Sequence, residues 1–227
     1  MRSAPAISHF TTVPGPNGAR VPTPRLKPDS SKPDVTDEAP PPDWVPAAGP
    51  ARPSRITFLE MTARPAPRRA PPPLDAHALM RVEEPALAYF RWLYHHTGRD
   101  WMWIDRRRWD DDRLAAHLAA PGYALYVLYL KGGPAGFFEL VPHDGGTRID
   151  LGLFGIMPEF IGRKLGPFLL DQAIQLAWER GPQRLTVDTC TLDHPRALAL
   201  YQKFGFAPYA TRDRLAWPLG PDLAKLD

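Results

Sequence analysis

PEFIGRKLGPFLL, residues 158–170, joins an apolar extended run to a stretch whose apolar residues recur at helical spacing. It reads as a strand leaving through a glycine-bearing turn into a helix. The helix predicted from Arg163 to Arg180 turns Leu165, Phe168, Leu169, Ala173 and Leu176 inward and keeps Asp171, Gln175 and Glu179 as its wet edge. The first amides of such a helix have no internal partner and its dipole is positive there, so a phosphate fits by geometry as well as by charge. Arg163 and Lys164 place two cations beside that point. Taken alone, Gly162 and Gly166 read better as shapers of a turn than as a cradle.

Upstream, Ile149, Leu151 and Leu153 alternate, but the next apolar residues are Phe154 and Ile156. The inward phase slips by one between Leu153 and Phe154, as at a β-bulge, and Gly152 and Gly155 suit a close backbone approach. A strand buried on both faces is the other reading of the same pattern. Downstream, the strand RLTVDTCTL runs into DHPRALALYQKFGF, where Pro195 suits a first helical turn and His194 or Asp193 its cap.

Loop and second helix together resemble the GCN5-related N-acetyltransferase superfamily. That family's acyl-CoA loop, Arg/Gln-x-x-Gly-x-Gly/Ala, lies on Ile161–Gly166, and its second signature, Asn-x-x-Ala-x-x-Leu-Tyr-x-x-x-Gly-Phe, lies on His194–Phe206. The resemblance covers residues 125–209 well and the preceding strand and two helices loosely. Ile161, Lys164 and His194 depart from the pattern, and Pro167 removes one amide from the expected cradle. The fold implied is mixed α/β: an acyl-CoA N-acyltransferase fold, antiparallel hairpins plus a βαβ unit.

The resemblance implies acetyl-CoA as acyl donor. Gly162, Arg163, Lys164, Leu165 and Gly166 would hold its diphosphate, with His194 nearby, and Phe154 and Ile156 on the bulged strand would meet its pantetheine arm. Tyr201 stands at the family's tyrosine and would protonate the departing sulfur; with Leu198 and Phe204 it also forms an apolar stripe that needs no chemistry. An ammonium must lose a proton before it attacks a thioester. Asp150, six residues before Ile156 as in the family's histone-acetylating branch, is the first candidate base; Glu139 is the second, and a water chain could replace both. Each carboxylate reads as readily as a solvated strand charge. Tyr94, Trp101 and Trp103, near Asp110–Asp112, suit a cationic amine, although tryptophans at this density also pack small cores.

The rest of the chain sets bounds. Of its 29 prolines, 13 fall in the first 53 residues, and residues 1–53 are expected to be a disordered proline-rich tail before one domain over 54–227. A strand is predicted at 55–61, a proline-rich spacer after it, a strand near 77–85, a helix over 86–96 ended by Gly98, a second helix capped by Asp110 or Asp111, and a hairpin turning at 131–133. One cysteine excludes an internal disulfide and a thiolate metal cluster, and His95-His96 lacks a spaced third ligand, so no metal is expected. A net charge of +3 argues against nucleic acid, and no run is long and apolar enough for a leader or membrane span. Within these bounds the resemblance implies a soluble, cytoplasmic N-acetyltransferase acting on acetyl-CoA and a primary amine, with a homodimer allowed. The alternative is a degenerate acyl-CoA-binding or interaction module without catalysis.

Overall fold

The computed structural model describes residues 49–66 and 70–218. Most of the expected tail, residues 1–48, lies outside them. The elements are β1 (Arg52–Met61), β2 (His77–Val82), α1 (Leu87–Gly98), α2 (Asp111–Leu118), β3 (Ala124–Leu130), β4 (Gly133–His143), β5 (Arg148–Ile156), α3 (Leu165–Trp178), β6 (Arg184–Cys190), α4 (Ala197–Lys203) and β7 (Ala207–Ala216). They form one seven-stranded sheet in the order β2-β3-β4-β5-β6-β1-β7. Every pairing is antiparallel except β5 with β6, which α3 connects by a crossover. This is the mixed sheet that the hairpins and the βαβ pattern predict.

Both faces of the sheet are covered, which is why its central strands lack a polar phase. Adjacent residues show it: Phe137 packs toward α1 and α2, Phe138 toward α3 and α4, and both are fully buried. Phe90, Leu93 and Tyr94 form the inward stripe of α1, while Leu165, Leu169, Ala173 and Ile174 form that of α3. Asp110 caps α2, its carboxylate accepting the Arg113 amide at 2.8 Å.

Several expectations shift. β1 begins at Arg52, ahead of the expected boundary at 54, because Arg52 and Pro53 pair with Ala216 and Leu215 of β7. Gly98 does end α1, as its last residue, and Trp103 occupies the space a Cβ would need. α3 starts at Leu165 rather than Arg163, since Lys164 sits just before it in the left-handed region, φ 61°. Asp171, expected on the wet edge, is buried: the proline-rich spacer crosses that face and Ala70 donates its amide to the carboxylate. Farther along the same edge, Arg64 of the spacer donates to the Gln175 side chain at 3.0 Å.

Candidate active site

The predicted bulge exists one position earlier than the period slip suggested. Glu139 of β4 faces Leu153 and Leu140 faces Leu151, so Gly152 is the extra residue. Glycine is required there because the Glu139 carboxylate passes 2.6 Å from where a Cβ would stand. Below the bulge β5 pairs with β6 from Arg148 to Leu151; beyond it no pairing with β6 continues, and the two strands splay apart. β5 stays paired to β4 as far as Ile156, so its other edge faces the gap.

Into this gap opens a cavity of about 420 Å³. It is lined by the turn before α3, with Gly162, Lys164, Leu165 and Gly166, by Tyr94, Trp101 and Trp103, and by Phe154, Ile156, His194 and Tyr201. Eleven of the fourteen residues singled out from sequence therefore meet at one cavity; Arg163, Asp150 and Glu139 do not line it.

Each of the three has a physical reason. Arg163 lays its guanidinium over the Phe160 ring, 5.1 Å from its centre, and its amide is taken by the Phe160 carbonyl. Asp150 is buried between β4 and β6 and accepts the Thr186 hydroxyl at 2.7 Å. Glu139 is fully buried and accepts from Arg106 Nη2 at 2.9 Å, Tyr123 Oη at 3.1 Å and His117 Nε2 at 3.2 Å. Burial alone would raise its carboxyl, but Arg106 and His117 outweigh that and hold it at about 2. A carboxylate so acidic and sealed from the cavity is a structural anion and a poor proton acceptor.

Tyr201 is buried at 5% exposure, its ring edge-on to Phe154 with centres 6.1 Å apart. Burial, and then the negative charges of Asp193, Asp188 and Asp150, push its phenol up, so it stays protonated and can donate. At the turn before α3, Leu165 and Gly166 have no carbonyl one helical turn behind them. Pro167 offers no N–H, so the cradle has two amides there instead of three, with Lys164 beside them. His194 Nδ1 accepts the Arg196 amide at 3.1 Å and the ring meets Trp101 edge-on; Asp193 turns back and accepts the Cys190 amide, so it does not cap α4.

Sequence reasoning missed Asp105 and Arg214, which both line the cavity and form an ion pair at 3.3 Å. They are 109 residues apart, on the loop after α1 and on β7, and no local pattern joins them. It also missed Asp193 as a cavity residue, although its place just before His194 in the second signature could have flagged it. Among the described residues no group of three or more His, Cys, Asp or Glu is placed to hold a metal, and no helix is long and apolar enough to cross a membrane.

A strand splayed at a bulge, the N-terminal turn of a helix and a buried tyrosine thus meet at one cavity. The chain belongs to the acetyltransferase (GNAT) family, whose model matches residues 88–206, just over half of the chain. It is similar to a Bacillus subtilis (strain 168) protein provisionally named ribosomal protein bS18-alanine N-acetyltransferase, with 31% identity over 116 residues, 50% of this chain and 74% of that one. A solved acetyltransferase provisionally assigned to the GNAT family, from Novosphingobium aromaticivorans, superposes with a TM-score of 0.52 at 15% identity, over 80% of this chain and 70% of that one. The GCN5-related N-acetyltransferase from Sphaerobacter thermophilus gives 0.48 at 16% identity over 74% of this chain, which spans only 54% of that protein. β1, β2 and β7 lie outside the family match, yet Ile56 and Arg214 bring β1 and β7 to the cavity.

Proposed function

We propose that the chain transfers an acetyl group from acetyl-CoA directly to a primary amine, in the cytoplasm. The observation that carries this reading is one continuous cavity lined by the turn before α3, the splayed strand, Tyr201 and the aromatic wall. Thioester transfer needs an anchored donor, N–H groups for the developing oxyanion and a proton for the departing sulfur. Lys164 with the Leu165 and Gly166 amides would hold the diphosphate, the β5 backbone near Ile156 would serve the pantetheine arm and the oxyanion, and Tyr201 would protonate the thiolate. Trp101, Trp103 and Tyr94 line the same cavity and suit a cationic acceptor. The B. subtilis relative's name makes a bS18-derived alanine peptide the first acceptor to try.

Calorimetry with CoA, followed by thiol release from acetyl-CoA over a panel of amines that includes that peptide, tests the reading. Tight binding with turnover on one amine supports it. The left-handed Lys164 and the missing amide at Pro167 favour a second reading, a CoA-binding module without catalysis; binding without turnover on any amine would establish that one instead. Lys164→Ala is expected to weaken CoA binding and to flatten its salt dependence.

A further inference from the structure

We propose that Asp193 takes the proton from the acceptor's ammonium, an assignment that rests on the acetyl-transfer reading above. Asp193 lies on the turn between β6 and α4 and lines the same cavity as Tyr201, His194 and Trp101. Its Oδ2 accepts the Cys190 amide at 2.7 Å and the Thr189 hydroxyl at 2.9 Å, which fixes the carboxylate against the end of β6. Oδ1 takes no part in either bond, and the Cys190 thiol is a further donor to the carboxylate.

Three other carboxylates are committed elsewhere. Asp150 is held by Thr186 outside the cavity, Glu139 is sealed behind the bulge, and Asp105 is paired with Arg214. Asp188 also lines the cavity, on β6 opposite Phe58 of β1, but among the three carboxylates that act on the Tyr201 phenol Asp193 acts most strongly. Asp188 and Cys190 of β6, His194 and Arg196 of its own turn, Tyr201 of α4 and Arg214 of β7 line the cavity with Asp193, and Asp188, Cys190 and Tyr201 interact with it electrostatically. Burial raises its carboxyl and Asp188 raises it further, while the Cys190 amide and the Thr189 hydroxyl pull the other way; the balance lies above the ordinary aspartate value, the direction a base needs.

The steps balance. Asp193 carboxylate and the acceptor's ammonium become Asp193 carboxylic acid and a neutral amine. The nitrogen lone pair forms the C–N bond at the thioester carbonyl, whose π electrons move to oxygen. Collapse reforms the carbonyl and breaks the C–S bond; Tyr201 gives its proton to the sulfur and regains one from the nitrogen. Asp193 then returns its proton to solvent, so one proton is released per amide and thiol formed.

The test compares full-length wild type with Asp193→Asn, which keeps an oxygen for the Cys190 amide and so the local fold. Thiol release is measured from pH 5 to pH 10 with an amine that the wild type acetylates, with CoA calorimetry and thermal melting alongside. Expected are an about 10²-fold fall in kcat/KM at neutral pH, displacement of the acidic limb upward until it follows the amine's own titration, and convergence on the wild-type rate as pH nears the amine pKa of about 10, with CoA affinity unchanged. An acidic limb left at its wild-type position, or a uniform loss at every pH, overturns the assignment. A wild type that binds CoA but acetylates no amine overturns the acetyl-transfer reading itself, and this assignment with it.

Discussion

Lys164 holds φ 61° and ψ 22° at the position where the family loop carries glycine. A side chain in that region costs about 1–2 kcal/mol, so the lysine is kept against backbone preference. Lys164→Gly is expected to gain about 1 kcal/mol, a rise in melting temperature of roughly 2–4 °C, while CoA affinity falls; calorimetry on the same sample separates the two effects. Glu139 gives the opposite lesson. Its folded value of about 2 lies below the ordinary 4.5, so its stabilisation is complete above pH 4.5 and is lost as pH falls toward 2. Glu139→Gln leaves Arg106 buried without its counter-charge and should cost about 3–5 kcal/mol at pH 7, with the gap to wild type narrowing between pH 4.5 and 2 in urea titrations. The sequence offered Glu139 as a base because strand position is legible locally. Its partners, from the loop after α1, from α2 and from the turn just before β3, are not.

At the scale of elements, the cleft depends on how closely α1 approaches β5. A Cβ on Gly155 would collide with the Thr97 methyl and stand 3.0 Å from Trp103, while Trp103 also fills the space beside Gly98. Two glycines thus seat one tryptophan of the cavity wall. Gly155→Ala should push α1 and Trp103 off the strand, cost about 1–3 kcal/mol by chemical denaturation, and raise KM for the amine more than for acetyl-CoA. Helices and strands were legible from apolar spacing, and the bulge from its slip of phase. The slip pointed one position too far along because the bulged residue is chosen by the Glu139 side chain lying over it, a contact between strands.

Over the whole molecule, β1 sits between β6 and β7 and gives both a partner. Leu59 of β1 is fully buried in the core shared with α3, and Ile56 reaches the cavity. A chain beginning after Met61 would leave β6 and β7 each without its shared neighbour. Such a chain is expected to lose the cooperative melting transition, as followed by circular dichroism, whereas Leu59→Ala in the full chain should keep it and cost about 2–5 kcal/mol. The spacer after β1 completes the arrangement by covering Asp171 and Gln175 of α3.

The sequence by itself determined the element types, the crossover that makes one pairing parallel, the turn before α3 and the tyrosine of α4. All of these are written in spacings shorter than one element and its turn, where chain geometry alone couples residues. The tertiary structure decided which strand lies between β6 and β7, which carboxylates are buried anions and which line the cavity, and that Asp105 meets Arg214. Those outcomes depend on burial and on pairs brought together from distant parts of the chain, and the free energy of a charge is set by its surroundings rather than by its place in the sequence.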